Sequence, residues 1–326
     1  MSRGSSRPWS TILALGCVWA AAGGCSSPPT AEVHVTAVRD DAAGTLSFAV
    51  DGRQALVYQY GEAWAIPHIW PLRSPSGRSL LVQRTEPFPH HRSLWVVDRV
   101  QLEGGPDTDF YHEWKNLRDP EEPGLGHHSF IRHDGFRELR SGERSAAATA
   151  DLTWIAQGEP VLGQSLRFEL EDLGDGEFLL HLDWELRADY GEVRFLSDWV
   201  HYGWPYLRMD PDFSGEHGGT IRDDQGRRGQ EATNERYARW IDYSNQVDGV
   251  REGVAVFLPD DGQPRKWLTR EYGTFGPRRP DDWSGTRFRL GRGERIGGRV
   301  AVLVHRGGVD GGQVAARYQA FVASQE

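Results

Sequence analysis

The chain has 326 residues, 38% of them hydrophobic and 26% charged, enough for one large or two modest domains with a sizeable core. Its formal net charge of −10 repels phosphate backbones and argues against a nucleic-acid partner. Beyond residue 25 no apolar run approaches the roughly 20 residues that a membrane-spanning helix needs, and with cysteines only at Cys17 and Cys25, the rest of the chain has no thiol chemistry.

Met1 to Gly24 reads as an export leader: Arg3 and Arg7 give it a positive start, and Thr11 to Ala22 form the apolar stretch. Ala22-Gly23-Gly24-Cys25 resembles a bacterial lipobox, which implies that Cys25 is lipidated and holds the protein to the cell envelope. Ser26 carries no Asp-type retention signal, so the outer membrane is the expected destination. Residues 25–32 read as a flexible tether and 33–326 as a single domain.

After the tether, period-two alternation predicts strands at Val33–Val38, Leu46–Val50, Ala55–Tyr60, Ser79–Arg84 and Leu94–Leu102. It continues at Leu166–Leu173, Glu177–Arg187, Val193–Val200, Gly253–Leu258, Arg287–Leu290 and Arg299–His305. Leu180, Leu182, Trp184 and Leu186 should face a core, with His181, Asp183, Glu185 and Arg187 on the wet side. Gly174-Asp175-Gly176 predicts a hairpin. The C-terminal Gln313–Val322 has helical spacing, with Val314, Tyr318, Phe321 and Val322 on one face. The fold class is therefore all-β, a large antiparallel sandwich with long loops and a C-terminal helix. Two segments break the alternation, Glu103 to His133 and Tyr202 to Tyr243; their aromatic residues point to ordered loops over one face of the sheet.

Of twelve histidines, seven fall between residues 68 and 133: His68, His90, His91, His112, His127, His128 and His133. On a strand, adjacent rings point to opposite faces, so one member each of His90/His91 and His127/His128 is expected to face a common pocket. His112-Glu113-Trp114 supplies a ring nitrogen, a carboxylate and an aromatic face, either a base with its orienting acid or two metal ligands. Arg239-Trp240-Ile241-Asp242-Tyr243 and Arg270-Glu271-Tyr272-Gly273 each combine a cation, an acid and an aromatic, as sugar sites do.

Three readings of this cluster stand side by side. In the first, His90, His91 and His112 exchange protons with a sugar, Arg92 holds a carboxylate or an anionic intermediate, and Trp114 or Trp240 stacks on the ring. His127, His128, Arg239, Asp242, Arg270 and Tyr272 would complete substrate binding. In the second, three imidazoles hold a divalent metal, copper or zinc, in an oxidoreductase. In the third, the rings are ordinary surface or supporting groups, or part of a non-catalytic glycan-binding lipoprotein. The sequence itself requires no cofactor. It contains no G-x-S-x-G elbow, no H-E-x-x-H and no P-loop, and Gly124-Leu125-Gly126 is a loop feature.

Gly61–Trp70, Pro89-His90-His91-Arg92-Ser93-Leu94-Trp95, Asp107–Tyr111, Arg239–Tyr243 and Arg270–Gly273 together resemble a bacterial family known as "methane oxygenase PmoA", from about residue 55 to the end. The core His90-His91-Arg92 matches, whereas Pro87-Phe88, Ser93, Tyr111 and Gln263 stand where that family has Asp-His, Gly, Trp and His. The resemblance implies a galactose-mutarotase-like β-sandwich and a carbohydrate substrate, with a hydrolase, lyase or epimerase-like activity.

Overall fold

The alternation between Leu180 and Leu186 builds a central strand of one sheet. Leu180, Leu182, Trp184 and Leu186 are buried, while His181, Asp183, Glu185 and Arg187 stay half-buried. The strand Glu177–Arg187 pairs antiparallel with Glu159–Gly174 through the two-residue loop Asp175-Gly176. Both loop residues have positive φ, 54° and 79°, the conformation a type I′ hairpin needs. On the other side, Trp184 lies opposite Gly298 of Arg295–Arg306, where a Cβ would collide with the indole.

The computed structural model describes residues 34–197, 204–283 and 288–325. Within them twenty strands form three antiparallel sheets. The first sheet runs, in spatial order, Val35–Asp40, Thr45–Val50, Arg53–Gln59, His68–Leu72, Leu94–Trp95, Tyr206–Arg208, Thr274–Pro277 and Trp267–Thr269. The second runs Thr220–Asp223, Trp240–Val247, Val250–Phe257, Arg295–Arg306, Glu177–Arg187, Glu159–Gly174, Ser145–Ala156 and Phe130–Arg140. Tyr58 of the first sheet meets Phe168 of the second at 4.7 Å, and Phe275 meets Tyr243 at 5.4 Å. The two sheets therefore pack face to face as a sandwich, with their inward side chains forming the core.

A third sheet of four short strands, Phe288–Leu290, Val193–Phe195, Arg99–Leu102 and Asp107–Asp109, carries the chain into the candidate site. The C-terminal helix, Val314–Ala323, buries Val314, Tyr318 and Phe321 against Trp240 and Phe257 on the outer face of the second sheet. All described residues belong to one compact unit, Glu32–Glu326.

Three expectations about elements change, the first being Leu94–Leu102, which divides into Leu94–Trp95 of the first sheet and Arg99–Leu102 of the third. Ser79–Arg84 forms only isolated bridges, Arg73 with Ser79 and Leu81 with Met209. Leu80 and Leu81 are both fully buried there, so consecutive residues face the core and the segment does not alternate. The two presumed loops also contain strands. Asp107–Asp109 and the start of Phe130–Arg140 lie in the first, and Tyr206–Arg208, Thr220–Asp223 and the first half of Trp240–Val247 in the second. Asp107–Asp109, Tyr206–Arg208 and Thr220–Asp223 are short, and Trp240–Val247 begins buried on both faces, which erases the period-two signal there. The leader Met1–Gly24, Cys25, the tether, Val33, the end of Val193–Val200, Tyr202 and Arg287 lie outside the described residues.

Candidate functional site

The segment His90 to Ser93 leads into the strand Leu94–Trp95, which is pinned between Ile69 and Tyr206–Leu207. The Arg208 N–H donates to the Ser93 carbonyl at 2.7 Å, and the Ser93 hydroxyl donates to the Ile69 carbonyl. With the backbone fixed on both sides, His91 and Arg92 turn their side chains to different neighbours. His91 is buried with its Nε2 2.7 Å from the Tyr111 hydroxyl and its Nδ1 3.3 Å from Thr274 Oγ1. Its ring stacks on Phe88, centroids 5.0 Å apart. Burial, reinforced by the neighbouring His90 ring and the Arg208 guanidinium, pushes its pKa down to about 2, so it stays neutral and supports the site from behind.

Asp109, at the end of the third sheet, organises the turn that follows. Its Oδ1 accepts the backbone N–H groups of Tyr111 and His112 at 3.1 Å each. Its Oδ2 accepts His112 Nδ1 at 2.8 Å and Lys115 Nζ at 3.0 Å, while Asn116 Nδ2 donates to the Asp109 carbonyl at 2.8 Å. This Asx-type turn sets up the short 3-10 helix Glu113–Asn116 and sends Phe110 into the core against Trp154, 4.9 Å away. Burial alone would raise the Asp109 pKa, but the hydrogen bonds from His112 and Lys115 outweigh it and hold the carboxyl well below the usual range. An ionised carboxylate only accepts, so His112 carries its proton on Nδ1 and leaves the Nε2 lone pair available.

His90 lies beside that imidazole, centroids 4.5 Å apart, and 5.2 Å from the Tyr111 ring. It is half-buried; burial, then the neighbouring His112, lower its pKa to about 4. Trp114, two residues after His112, is 54% exposed, with Lys115 Nζ 5.5 Å from its ring centre. An oriented imidazole and an exposed indole thus share one turn, and the neutral His90 ring lies against it from a separate segment.

Arg92 builds the adjoining half. Fully buried, it forms an ion pair with Glu113, and its guanidinium lies 5.4 Å from the Trp64 ring. Its Nε and Nη1 meet no hydrogen-bond partner among the described residues. Arg84 places a second guanidinium 4.7 Å from Trp64. His127 is half-buried nearby; burial lowers its pKa, Glu113 opposes the shift, and Arg92 and Arg84 add to it. His68 is buried behind, bonded to the Ile66 carbonyl at 2.8 Å and Gln83 at 2.6 Å, and burial takes its pKa to about 4.

The structure therefore brings together His90, His91, Arg92, His112, Trp114 and His127, with Tyr272 at the edge, 4.9 Å from Phe88. His90 is the member of its pair that meets His112. His128 turns to the Ser129 hydroxyl at 2.9 Å. Arg270 is spent on Asn234 Oδ1 at 2.7 Å and its neighbour's carbonyl. Three predicted residues belong elsewhere: Trp240 is core beneath the C-terminal helix, Asp242 is buried against His305 at 2.7 Å, and Arg239 is exposed beside Asp224. They sit on the strand Trp240–Val247 or just before it, where Trp240 and Asp242 share the face that the helix covers. His181, on the outer face of its strand, lies 3.9 Å from Glu171 and has its ring 5.9 Å from that of Phe321.

Sequence reasoning also paired His112 with the wrong acid. Glu113 holds Arg92, and Asp109 orients His112. The i, i+3 spacing of Asp109 and His112 was the available signal. Trp64 and Arg84 had none, since their proximity to Arg92 comes from the tertiary fold. Among the described residues no group of three or more His, Cys, Asp or Glu side chains is arranged to hold a metal ion, so the three-imidazole metal site finds no counterpart. Nor is any described helix long and apolar enough to cross a membrane.

Residues 45–319 match DUF6807, a family of unknown function. The chain belongs to that family. The DUF6807 description assigns no activity and does not mention the PmoA family that the His90-His91-Arg92 motif resembles. None of the curated proteins matches the chain. Among solved structures, it is similar to a family GH36 α-galactosidase from Geobacillus stearothermophilus bound to 1-deoxygalactonojirimycin, at 11% identity and a TM-score of 0.46. That match covers 85% of this chain and 41% of the other, so the chain spans about two fifths of the α-galactosidase's length. A galactose 1-epimerase from Lactobacillus acidophilus is similar at 9% identity and a TM-score of 0.36, covering 85% of this chain and 100% of that one. A glycoside hydrolase family 97 enzyme from Pseudoalteromonas is similar at 11% identity and a TM-score of 0.35, covering 84% and 34%. At these identities and scores no residue role passes from those proteins to this member of DUF6807.

Proposed function

We propose that the protein is an exported, lipid-anchored enzyme that acts on carbohydrate by histidine-driven proton transfer. The observation that carries this reading is the Asp109–His112 contact of 2.8 Å, which fixes the tautomer and leaves Nε2 as a base. Neutral His90 beside it can hydrogen-bond a sugar hydroxyl, and the exposed Trp114 offers the face on which a sugar ring stacks. In this reading the PmoA-like His90-His91-Arg92 motif marks the site: His90 meets substrate, His91 supports it, and Arg92 with Glu113 fixes the neighbouring turn.

The same geometry favours abstraction of a proton, as a lyase or epimerase does, over a two-carboxylate hydrolysis. Glycosidases of the latter kind need two carboxyl groups free to act on the bond. Here Asp109 is held by His112 and Lys115, and Glu113 by Arg92. The test is incubation with a panel of oligosaccharides in D2O, with and without chelator, following products by mass spectrometry. Deuterium incorporation or an unsaturated product that disappears in His112→Ala is the expected result. Turnover that survives His112→Ala, or that chelator abolishes, would overturn the reading. The anchor is tested separately: Cys25→Ala should release the protein from membranes, and equal retention removes the lipoprotein assignment.

A further inference from the structure

We infer that the substrate is an acidic sugar, a uronic acid, whose carboxylate is taken by Arg84 over Trp64 at the Arg92 end of the site. This rests on the carbohydrate reading above and deepens it. Arg84 is exposed, its guanidinium lies 4.7 Å from the indole, and it meets no carboxylate among the described residues. Arg84 thus places an exposed cation against the same indole as the buried Arg92, in a chain whose net charge is −10.

The backbone holds Arg84 there at a cost. Its φ is 54°, a left-handed conformation that a non-glycine residue adopts only when its surroundings impose it. The tie is its N–H, which donates to the His91 carbonyl at 3.1 Å, so the placement of Arg84 is coupled to the His-His-Arg segment. Behind it, Arg92 has one acid, Glu113, and two unmatched nitrogens; Arg84, Arg92 and Glu113 together are net positive. His68 and His127 supply no negative charge to balance this, and burial first, with the two arginines in addition, lowers the pKa of both rings.

A planar guanidinium on an aromatic face presents its fork edgewise to solvent, the geometry that accepts a carboxylate in two parallel hydrogen bonds. A neutral hydroxymethyl group in the same position would leave that charge unanswered. The substrate's other end would then reach His90 and His112, which are joined to the arginines through adjacent residues: His91-Arg92 on one segment and His112-Glu113 on the other.

Calorimetric titration of the full-length protein with methyl glucuronide and methyl galacturonide, against methyl glucoside, methyl galactoside and galactose 6-sulfate, tests this. The wild type should bind a uronide about tenfold to hundredfold more tightly than its neutral partner, the usual worth of a charge-assisted hydrogen-bond pair. Arg84→Ala should erase that preference with an unchanged melting temperature, and Arg84→Lys should restore only part of it, since it returns the charge without the fork. Equal or tighter binding of the neutral glycosides, stronger binding of the sulfate ester, or a preference that persists in Arg84→Ala overturns the inference. Binding and turnover of neutral sugars sinks this inference alone and leaves the enzyme reading in place. Arg84-dependent uronide binding, with turnover unaffected by His112→Ala, sinks the catalytic reading alone. Failure to bind any of the five sugars sinks both.

Discussion

Two of the histidine–aspartate contacts among the described residues, one in the candidate site and one in the core, are almost equal in length and have different consequences. His112 and Asp109 are 2.8 Å apart, and His305 and Asp242 are 2.7 Å apart. In the second pair both side chains are fully buried, and His305 Nδ1 faces the Arg306 carbonyl at 3.1 Å. Both ring nitrogens of His305 therefore point at acceptors, so the ring carries two protons and forms a buried ion pair. Ser244 Oγ donates to Asp242 at 3.0 Å, and Gly312 packs so closely on the imidazole that a Cβ there would collide with it. His112 is partly open to solvent, and its second nitrogen meets no hydrogen-bond partner among the described residues. The length of the contact is uninformative; what the second nitrogen meets separates a base from a pin.

The largest test of that distinction is to remove each imidazole in turn. Under the proposed enzyme reading, His112→Ala should lower kcat by about two to four orders of magnitude, the usual worth of general acid–base help, with little change in stability. His305→Ala should do the reverse. It leaves Asp242 charged, buried and unpaired, which costs about 3–5 kcal/mol in a denaturant titration. If His305→Ala were as stable as the wild type, or if His112→Ala unfolded, the two assignments would be exchanged.

The pairs and their neighbours also predict opposite pH effects. His305 has a raised pKa: burial lowers it, but the Asp242 charge and hydrogen bond outweigh that. Its stabilisation is fully present below the ordinary value of 6.5 and is lost as pH rises through the folded-state value above it. His68 runs the other way. Its pKa falls from 6.5 to about 4 by burial, so the folded state resists protonation that the unfolded chain accepts. At about 1.4 kcal/mol for each pH unit, the folded protein loses about 3 kcal/mol as pH drops from 6.5 through 4. His68→Gln should flatten that acid limb and His305→Gln the alkaline one, both read from melting temperature against pH.

How much of this was legible in the sequence depends on whether a residue's role is local. Leu180 to Trp184 announced a sheet with one buried face, and Gly174-Asp175-Gly176 announced its hairpin, because strand alternation and turn chemistry are nearest-neighbour properties. His90, Arg92, His112 and Trp114 were found for the same reason: each lies in a short run dense in reactive groups. Asp242 and Trp240 looked like a sugar site because a cation, an acid and an aromatic were close in sequence. Trp240 and Asp242 share one face of the strand, and a helix more than 70 residues later covers that face, while Arg239, just before the strand, stays exposed. Arg84 and Trp64 were invisible because their meeting depends on how the first sheet folds.

The smallest predicted effect concerns the tryptophans, which the sequence treated as equals. Trp240 is 6% exposed and Trp114 is 54% exposed. Trp240 is part of the contact between the second sheet and the C-terminal helix, so truncating it opens a cavity there and affects folding. Trp114 contacts His112 at a ring separation of 6.1 Å and is otherwise covered mainly by the Lys115 side chain. Trp114→Ala should therefore leave the melting temperature unchanged. If a sugar ring stacks on it, the mutant loses about 1 kcal/mol of binding, the usual worth of an aromatic contact beyond its buried area, which is about a fivefold rise in KM. Trp114→Phe, which keeps a flat face, should recover most of that loss, while Trp114→Leu, similar in bulk but not flat, should not. Equal recovery by Phe and Leu would mean that the indole contributes only apolar area, and stacking would drop out of the description of the site.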